Sequence, residues 1–77
     1  MKINIIVFGQ LTDIIGNDNL VVSDTKDTDS LMEQLHKLYP ALADIKFLTA
    51  VDKQLITANT ILTNNSTIAL LPPFSGG

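Results

Sequence analysis

The sequence predicts an α+β domain in which a mixed sheet wraps one main helix. Two observations carry this. A single four-three-four apolar spacing occurs mid-chain, at Leu31, Leu35, Leu38 and Leu42, and every other apolar segment is short, rich in β-branched residues and bounded by turn residues. Strand pairs on both sides of one helix give the order ββαβββ, which suits a sheet packed on one layer of helix.

Each element follows from its composition. Lys2 to Phe8 (KINIIVF) is β-branched and apolar without a breaker, hence a first strand, and Gly9 can end it. Leu11 to Ile15 reads as one or two helical turns closed by Gly16-Asn17-Asp18, with a second strand over Asn19 to Val22. The main helix can start with Thr28 as its cap and Asp29 in the first turn. Ser30 and Glu33 also fit a capping box, and Pro40 ends the helix at Tyr39. Phe47 to Asp52, Gln54 to Thr57 and Ser66 to Leu71 read as three further strands, the last preceded by an Asn64-Asn65 turn. Periodic chain then gives way at Pro72 to PPFSGG, so we divide the protein into a domain over residues 1–71 and a tail over residues 72–77.

Composition excludes several functions. With no cysteine, disulfide staples and thiolate metal sites are ruled out, as is ferredoxin chemistry despite a similar layout. A formal charge of -3 argues against nucleic acid as a partner. No apolar run approaches the roughly 20 residues of a membrane span, and Met1-Lys2 leads into a strand rather than a signal-peptide pattern, so the expected place is the cytoplasm. His36, the one histidine, lies off the leucine stripe on the helix and is read as a solvated side chain. Asp24, Asp27 and Asp29 suit a helix start better than a metal site. No phosphate-binding glycine loop is present, so the chain is expected to bind no cofactor of its own.

The tail is where chemistry can sit. Leu71 and Pro72 each precede a proline and are pushed to extended conformations, while both rings fix φ, making a stiff stem. Residues 72–77 can span about 20 Å, and Gly76 and Gly77, lacking Cβ, can pass a channel too narrow for other residues. A frayed polar terminus would not need an apolar Pro-Pro-Phe stem.

Strand parity predicts the open face. Ile3, Ile5 and Val7 point one way in the first strand, and Ile6 and Phe8 the other. In the last strand Ile68 and Leu70 face the helix, while Thr67, Ala69 and Leu71 face outward.

On its opening strand with FGQLTDIIG, its central TAVDKQLI and its closing LLPPFSGG, the chain resembles the small subunit of molybdopterin synthase. That subunit is a ubiquitin-like β-grasp sulfur carrier of the MoaD/ThiS type. The terminal Pro-Pro-x-x-Gly-Gly is the specific motif. Departures fall at Thr12-Asp13, at Leu70 and Leu71 where aromatic residues are common, and in the Asn64-Asn65-Ser66 turn.

The resemblance implies that first and last strands are parallel neighbours, which places Phe8 and Leu71 together where the tail departs. It implies a mechanism in which Gly77, supported by Gly76, is adenylated by a ubiquitin-activating-like enzyme using ATP and converted to a thiocarboxylate. Sulfur then passes to a pterin precursor in the large synthase subunit, in an expected heterotetramer of which this chain is the non-catalytic, sulfur-donating part. It further implies partner contacts through Phe8, Leu55, Leu71, Pro72, Pro73, Phe74 and Ser75, with Leu55 either joining this patch or filling a minor core. Rival readings are a carrier for thiamin or transfer RNA thiolation, a protein modifier joined to lysines, and an interaction domain with an idle tail.

Overall fold

The computed structural model describes residues 2–73. Its elements are β1 (Lys2–Val7), α1 (Leu11–Ile15), β2 (Asn19–Ser23), α2 (Thr28–Leu38), a 3-10 turn (Pro40–Asp44), β3 (Leu48–Val51), β4 (Gln54–Leu55) and β5 (Thr67–Leu71). Five strands form one mixed sheet in the order β2-β1-β5-β3-β4. The central pair, β1 and β5, is parallel, with Ile5 opposite Ile68 and Val7 opposite Leu70, and the remaining neighbours are antiparallel. This is the ubiquitin-like β-grasp arrangement. The expected order of elements holds, and Phe8, Phe47, Asp52, Ile56, Thr57 and Ser66 fall just outside the strands expected to include them.

Alternation in β1 is complete: Ile3, Ile5 and Val7 are buried, and Lys2, Asn4 and Ile6 are exposed. Ile68 and Leu70 of β5 join them, and Leu31 and Leu35 of α2 pack onto this floor without exposed surface. Leu11, Ile15, Val22, Leu42 and Leu62 complete the core.

The leucine stripe is corrected at its end. Leu38 is the last residue of α2 and 57% exposed. At 3.6 residues per turn, the buried line runs through Thr28, Leu31 and Leu35 toward Met32 and Tyr39, which pack beside the core, and leaves Leu38 on the opposite flank. Leu42 is buried, but on the 3-10 turn after Pro40 rather than on the helix.

The helix start is also corrected. Asp27 is the N-cap, accepting the Ser30 backbone N–H at 2.9 Å, and Thr28 is the buried first helical residue. Asn59 ties a distant loop to this cap: its Oδ1 accepts the Asp29 N–H at 2.9 Å and its Nδ2 donates to Asp27 Oδ2 at 3.2 Å. The Thr28 N–H donates to the Thr60 carbonyl and the Leu62 N–H to the Lys26 carbonyl, both at 2.9 Å. The loop is thereby laid along the helix start, which positions Leu62 in the core.

Hydrogen bonds from the Ser30 side chain and backbone, then from Asn59, hold the Asp27 carboxyl below the ordinary carboxylate value of about 3.9. A depressed folded value means that Asp27 stabilises the fold above about pH 3.9, and that this contribution disappears as pH falls through the folded value. Asp27→Ala is expected to lower the melting temperature at neutral pH, with the difference from the parent shrinking in acid. Thermal melts of both proteins across pH 2 to 7 check this.

Candidate functional site

The site is built where β1 and β5 end. Register places Ile6 opposite Ala69 and Val7 opposite Leu70, and the Phe8 N–H donates to the Leu70 carbonyl at 3.0 Å. Phe8 and Leu71 therefore come out beside each other on the sheet face away from α2. Phe8 is 44% exposed, and Leu71 is half-buried between it and β3, where its partner is Leu48.

The same register runs a row across the whole sheet: Ile6, Ala69, Ala50 and Leu55 stand abreast on β1, β5, β3 and β4. Ile6 and Leu55 are 39% and 53% exposed. Ala50 is buried yet stands apart from the main core cluster, because its small side chain lies on the open face between larger neighbours. The result is a shallow apolar saddle, with alanines in its floor and Ile6, Phe8 and Leu55 standing above it. Leu55 lies on this face rather than in a minor core. An apolar side chain left half in water on a sheet marks a surface that another body can cover.

The β3-β4 turn sets the far edge of the saddle. Asp52 and Lys53 hold φ at 47° and 76°, the left-handed pair needed to reverse two strands within two residues. Asp52 Oδ1 accepts the Thr67 N–H at 2.9 Å, and the Asp52 N–H donates to the Thr67 carbonyl at 2.8 Å, fastening the hairpin to the start of β5.

Sequence reasoning gave Gly9 no role beyond ending a strand, and the fold gives it one. Its φ is 60°, and a Cβ there would lie 2.7 Å from Cγ of Pro72. The missing side chain lets the first tail proline close down on the end of β1. Pro72 and Pro73 are both half-buried, so the tail leaves the sheet along the protein's own surface for at least two residues. Neither proline carries an N–H, which ends the β5 ladder at Leu71. Phe74, Ser75, Gly76 and Gly77 lie outside the described residues.

Among the described residues there is no group of three or more His, Cys, Asp or Glu side chains able to hold a metal ion. His36 lies at the edge of a groove on the helix side, away from the saddle. No helix among the described residues is long and apolar enough to cross a membrane.

A model of the ThiS family matches residues 5–77, nearly the whole chain. The chain belongs to the ThiS family. It is a β-grasp sulfur carrier of the ThiS type. Among solved structures, subunit 1 of the Helicobacter pylori molybdopterin-converting factor, seen in complex with subunit 2, is 25% identical over 100% of both chains, with a TM-score of 0.75. Small archaeal modifier protein 1 from Methanosarcina acetivorans is 25% identical, covering 99% of this chain and 96% of that one, with a TM-score of 0.81. The modifier of the same name from Haloferax volcanii, 18% identical over 100% of both chains with a TM-score of 0.81, shares the fold. ThiS-family membership thus fits a chain whose sheet end and open face meet where the tail begins.

Proposed function

We propose that this ThiS-family chain is the sulfur-donating small subunit of a molybdopterin synthase, with Gly77 as the atom-carrying residue. The observation that carries this reading is the juxtaposition of an apolar saddle with the exit of a Pro-Pro stem whose sequence ends in Gly-Gly. The 25% identity to a subunit solved together with its larger partner supports the molybdopterin branch.

The chemistry follows from the state of the terminal carboxyl. A carboxylate is ionised at neutral pH and a poor electrophile, so a partner enzyme first joins it to AMP from ATP, releasing pyrophosphate. A sulfide equivalent then attacks the acyl carbon, AMP leaves, and the sulfide proton is lost to solvent, giving the thiocarboxylate. With no cysteine in the chain, the sulfur has no internal thiol with which to form a disulfide. The loaded tail enters a pocket of the large subunit, which supplies the catalytic side chains and holds the pterin precursor. Each carrier gives up one sulfur, so a dithiolene consumes two.

Docking is assigned to Phe8, Leu55 and Leu71, with Pro72, Pro73, Phe74 and Ser75 as the stem that follows them into the partner. Phe8 stands at the tail's point of departure, the central position in which an aromatic anchor contributes most. Phe8→Glu is expected to weaken large-subunit binding by at least about tenfold, or about 1.4 kcal/mol, with the melting temperature retained because the ring is already half in water. Titration calorimetry with the large subunit, beside a thermal melt, checks both halves.

A second reading has its own support. The likeness to archaeal modifier proteins favours transfer of the activated Gly77 carboxyl to a lysine amine. Reconstitution with activating enzyme, sulfur source, large subunit and precursor separates the two. Pterin product supports the synthase, whereas higher-mass conjugates without product support the modifier.

A further inference from the structure

The order of the sheet ends on β2, and among the described residues no strand pairs with its outer side. Which of its groups face outward follows from the register. The Val7 N–H donates to the Asp18 carbonyl at 2.9 Å, and in an antiparallel ladder such bonds recur at every second residue, so Leu20 and Val22 direct theirs to Ile5 and Ile3. Asn19, Val21 and Ser23 therefore turn their backbone N–H and C=O groups away from β1. Of these groups, the Ser23 carbonyl accepts the Thr25 hydroxyl at 3.1 Å, and the others bond to no described residue. We propose that this edge receives an extended segment of a partner protein as an added strand, one with a β-branched centre and a lysine or arginine at each end.

Edge strands are normally blunted by a charge, a proline or a bulge. β2 contains none of these: it reads Asn-Leu-Val-Val-Ser, its pairing with β1 is continuous, and Val21 is 57% exposed on the face away from α2. Free N–H and C=O groups beside an exposed β-branched side chain are a template for another strand. Charge selects the occupant. Asp18 and Asp24, both exposed, bracket β2 at its two ends. A second copy, paired antiparallel in the register that uses Asn19, Val21 and Ser23, would set Val21 against Val21 and each Asp18 opposite the other copy's Asp24. Like charges then meet at both ends, which disfavours self-pairing, whereas a strand with a cation at each end meets a carboxylate there. Lys2 does not neutralise this edge, because it stands opposite Ser23 on β1, two strand spacings or about 10 Å from the added strand. Lys26 follows Thr25 toward the helix start, where its carbonyl accepts the Leu62 N–H.

The consequence is a second attachment point. β1 stands between β2 and β5, the strand that leads into the tail, so a segment bound at the β2 edge covers neither Leu71 nor Pro72. One partner can hold the chain by this edge while the tail is engaged elsewhere. The pairing needs neither Gly77 nor sulfur chemistry, so its failure leaves the carrier reading standing.

Amide hydrogen exchange tests it, with the peptide Lys-Val-Thr-Val-Thr-Val-Lys, acetylated and amidated, as the probe. The peptide reads the same in both directions and so fits either strand orientation. Added to isotope-labelled protein, it should slow exchange at Asn19, Val21 and Ser23 several-fold and saturably, while Leu20 and Val22, already bonded to β1, change little. The same peptide with glutamate at both ends should bind several-fold more weakly. Asp18→Asn combined with Asp24→Asn should remove that difference without disturbing the backbone, since asparagine tolerates the left-handed φ of 60° at position 24. Val21→Pro deletes an N–H that β1 does not use, and in a protein of unchanged circular dichroism it should abolish the protection. The asparagine variant tests the edge whether or not the proline variant folds. Exchange at Asn19, Val21 and Ser23 indifferent to the lysine peptide, or lysine and glutamate peptides bound equally well, would overturn the proposal. So would peptide effects confined to the saddle, or protection present without peptide and lost on dilution, which assigns the edge to a second copy.

Discussion

Deleting Gly77 is expected to abolish sulfur transfer and to leave the fold almost untouched. The two effects separate because the core closes at Leu70, seven residues earlier, and the β5 ladder ends at Leu71. A residue outside that framework contributes no more than about 0.5 kcal/mol to stability, which corresponds to a melting-temperature change of about 2–4 °C in a domain of this size. On the proposed chemistry, by contrast, the deletion is expected to displace the reacting atom. Without Gly77 the carboxyl moves back by one residue, about 3.3–3.6 Å, which removes it from any catalytic group aligned to within a fraction of an ångström. Thiocarboxylate formation and product yield, measured on the deletion variant beside a thermal melt, give the comparison. A large fall in melting temperature would show the tail to be part of the core.

Leu35→Ala is expected to cost about 2–5 kcal/mol, the largest stability loss among single truncations of α2. Leu35 has no exposed surface and stands with Leu31 over the parallel pair of β1 and β5. No second helix can move in to fill the gap, since α1 has only 5 residues and packs through its own Leu11 and Ile15. At about 0.05–0.15 kcal/mol per residue, a chain of 77 residues has a total stability of about 4–12 kcal/mol, so this change removes a large part of it. Urea denaturation should show a lower midpoint with an unchanged slope. A loss below about 1 kcal/mol would mean that α2 does not seal the centre of the sheet.

The sheet was legible in the sequence because its two central strands obey a strict period of two. Ile3, Ile5 and Val7 are buried against exposed Asn4 and Ile6, and Ile68 and Leu70 repeat the pattern. From that parity, the placing of Phe8 beside Leu71 needed only the parallel pairing, which the family resemblance implied. Less legible were features made by partners far apart in the chain. Asp27 is one of three aspartates near a helix start, and what marks it as the cap is a geometry completed by Asn59, 32 residues away. Leu38 matches the helical spacing, yet the axis of burial tilts toward Met32 and Tyr39, and periodicity alone cannot rank two flanks of one stripe.

Gly9 shows the same limit at the site. A glycine after a strand reads as punctuation, whereas its contact with Pro72 depends on β1 and β5 lying parallel, an arrangement settled 63 residues later. The available signal was the pairing of a glycine at the end of the first strand with a proline just after the last. Leu55 was ambiguous for a related reason: β4 is only 2 residues long, too short for alternation to assign a face, and its pairing with Ala50 decides it.

Intact mass spectrometry of the native chain after incubation with its activating enzyme, ATP and a sulfur source tests the central claim most directly. The account predicts a species heavier by the difference between one sulfur and one oxygen, located by fragmentation at Gly77 and absent when ATP is withheld. A chain that stays at its original mass while its partner turns over ATP would contradict it.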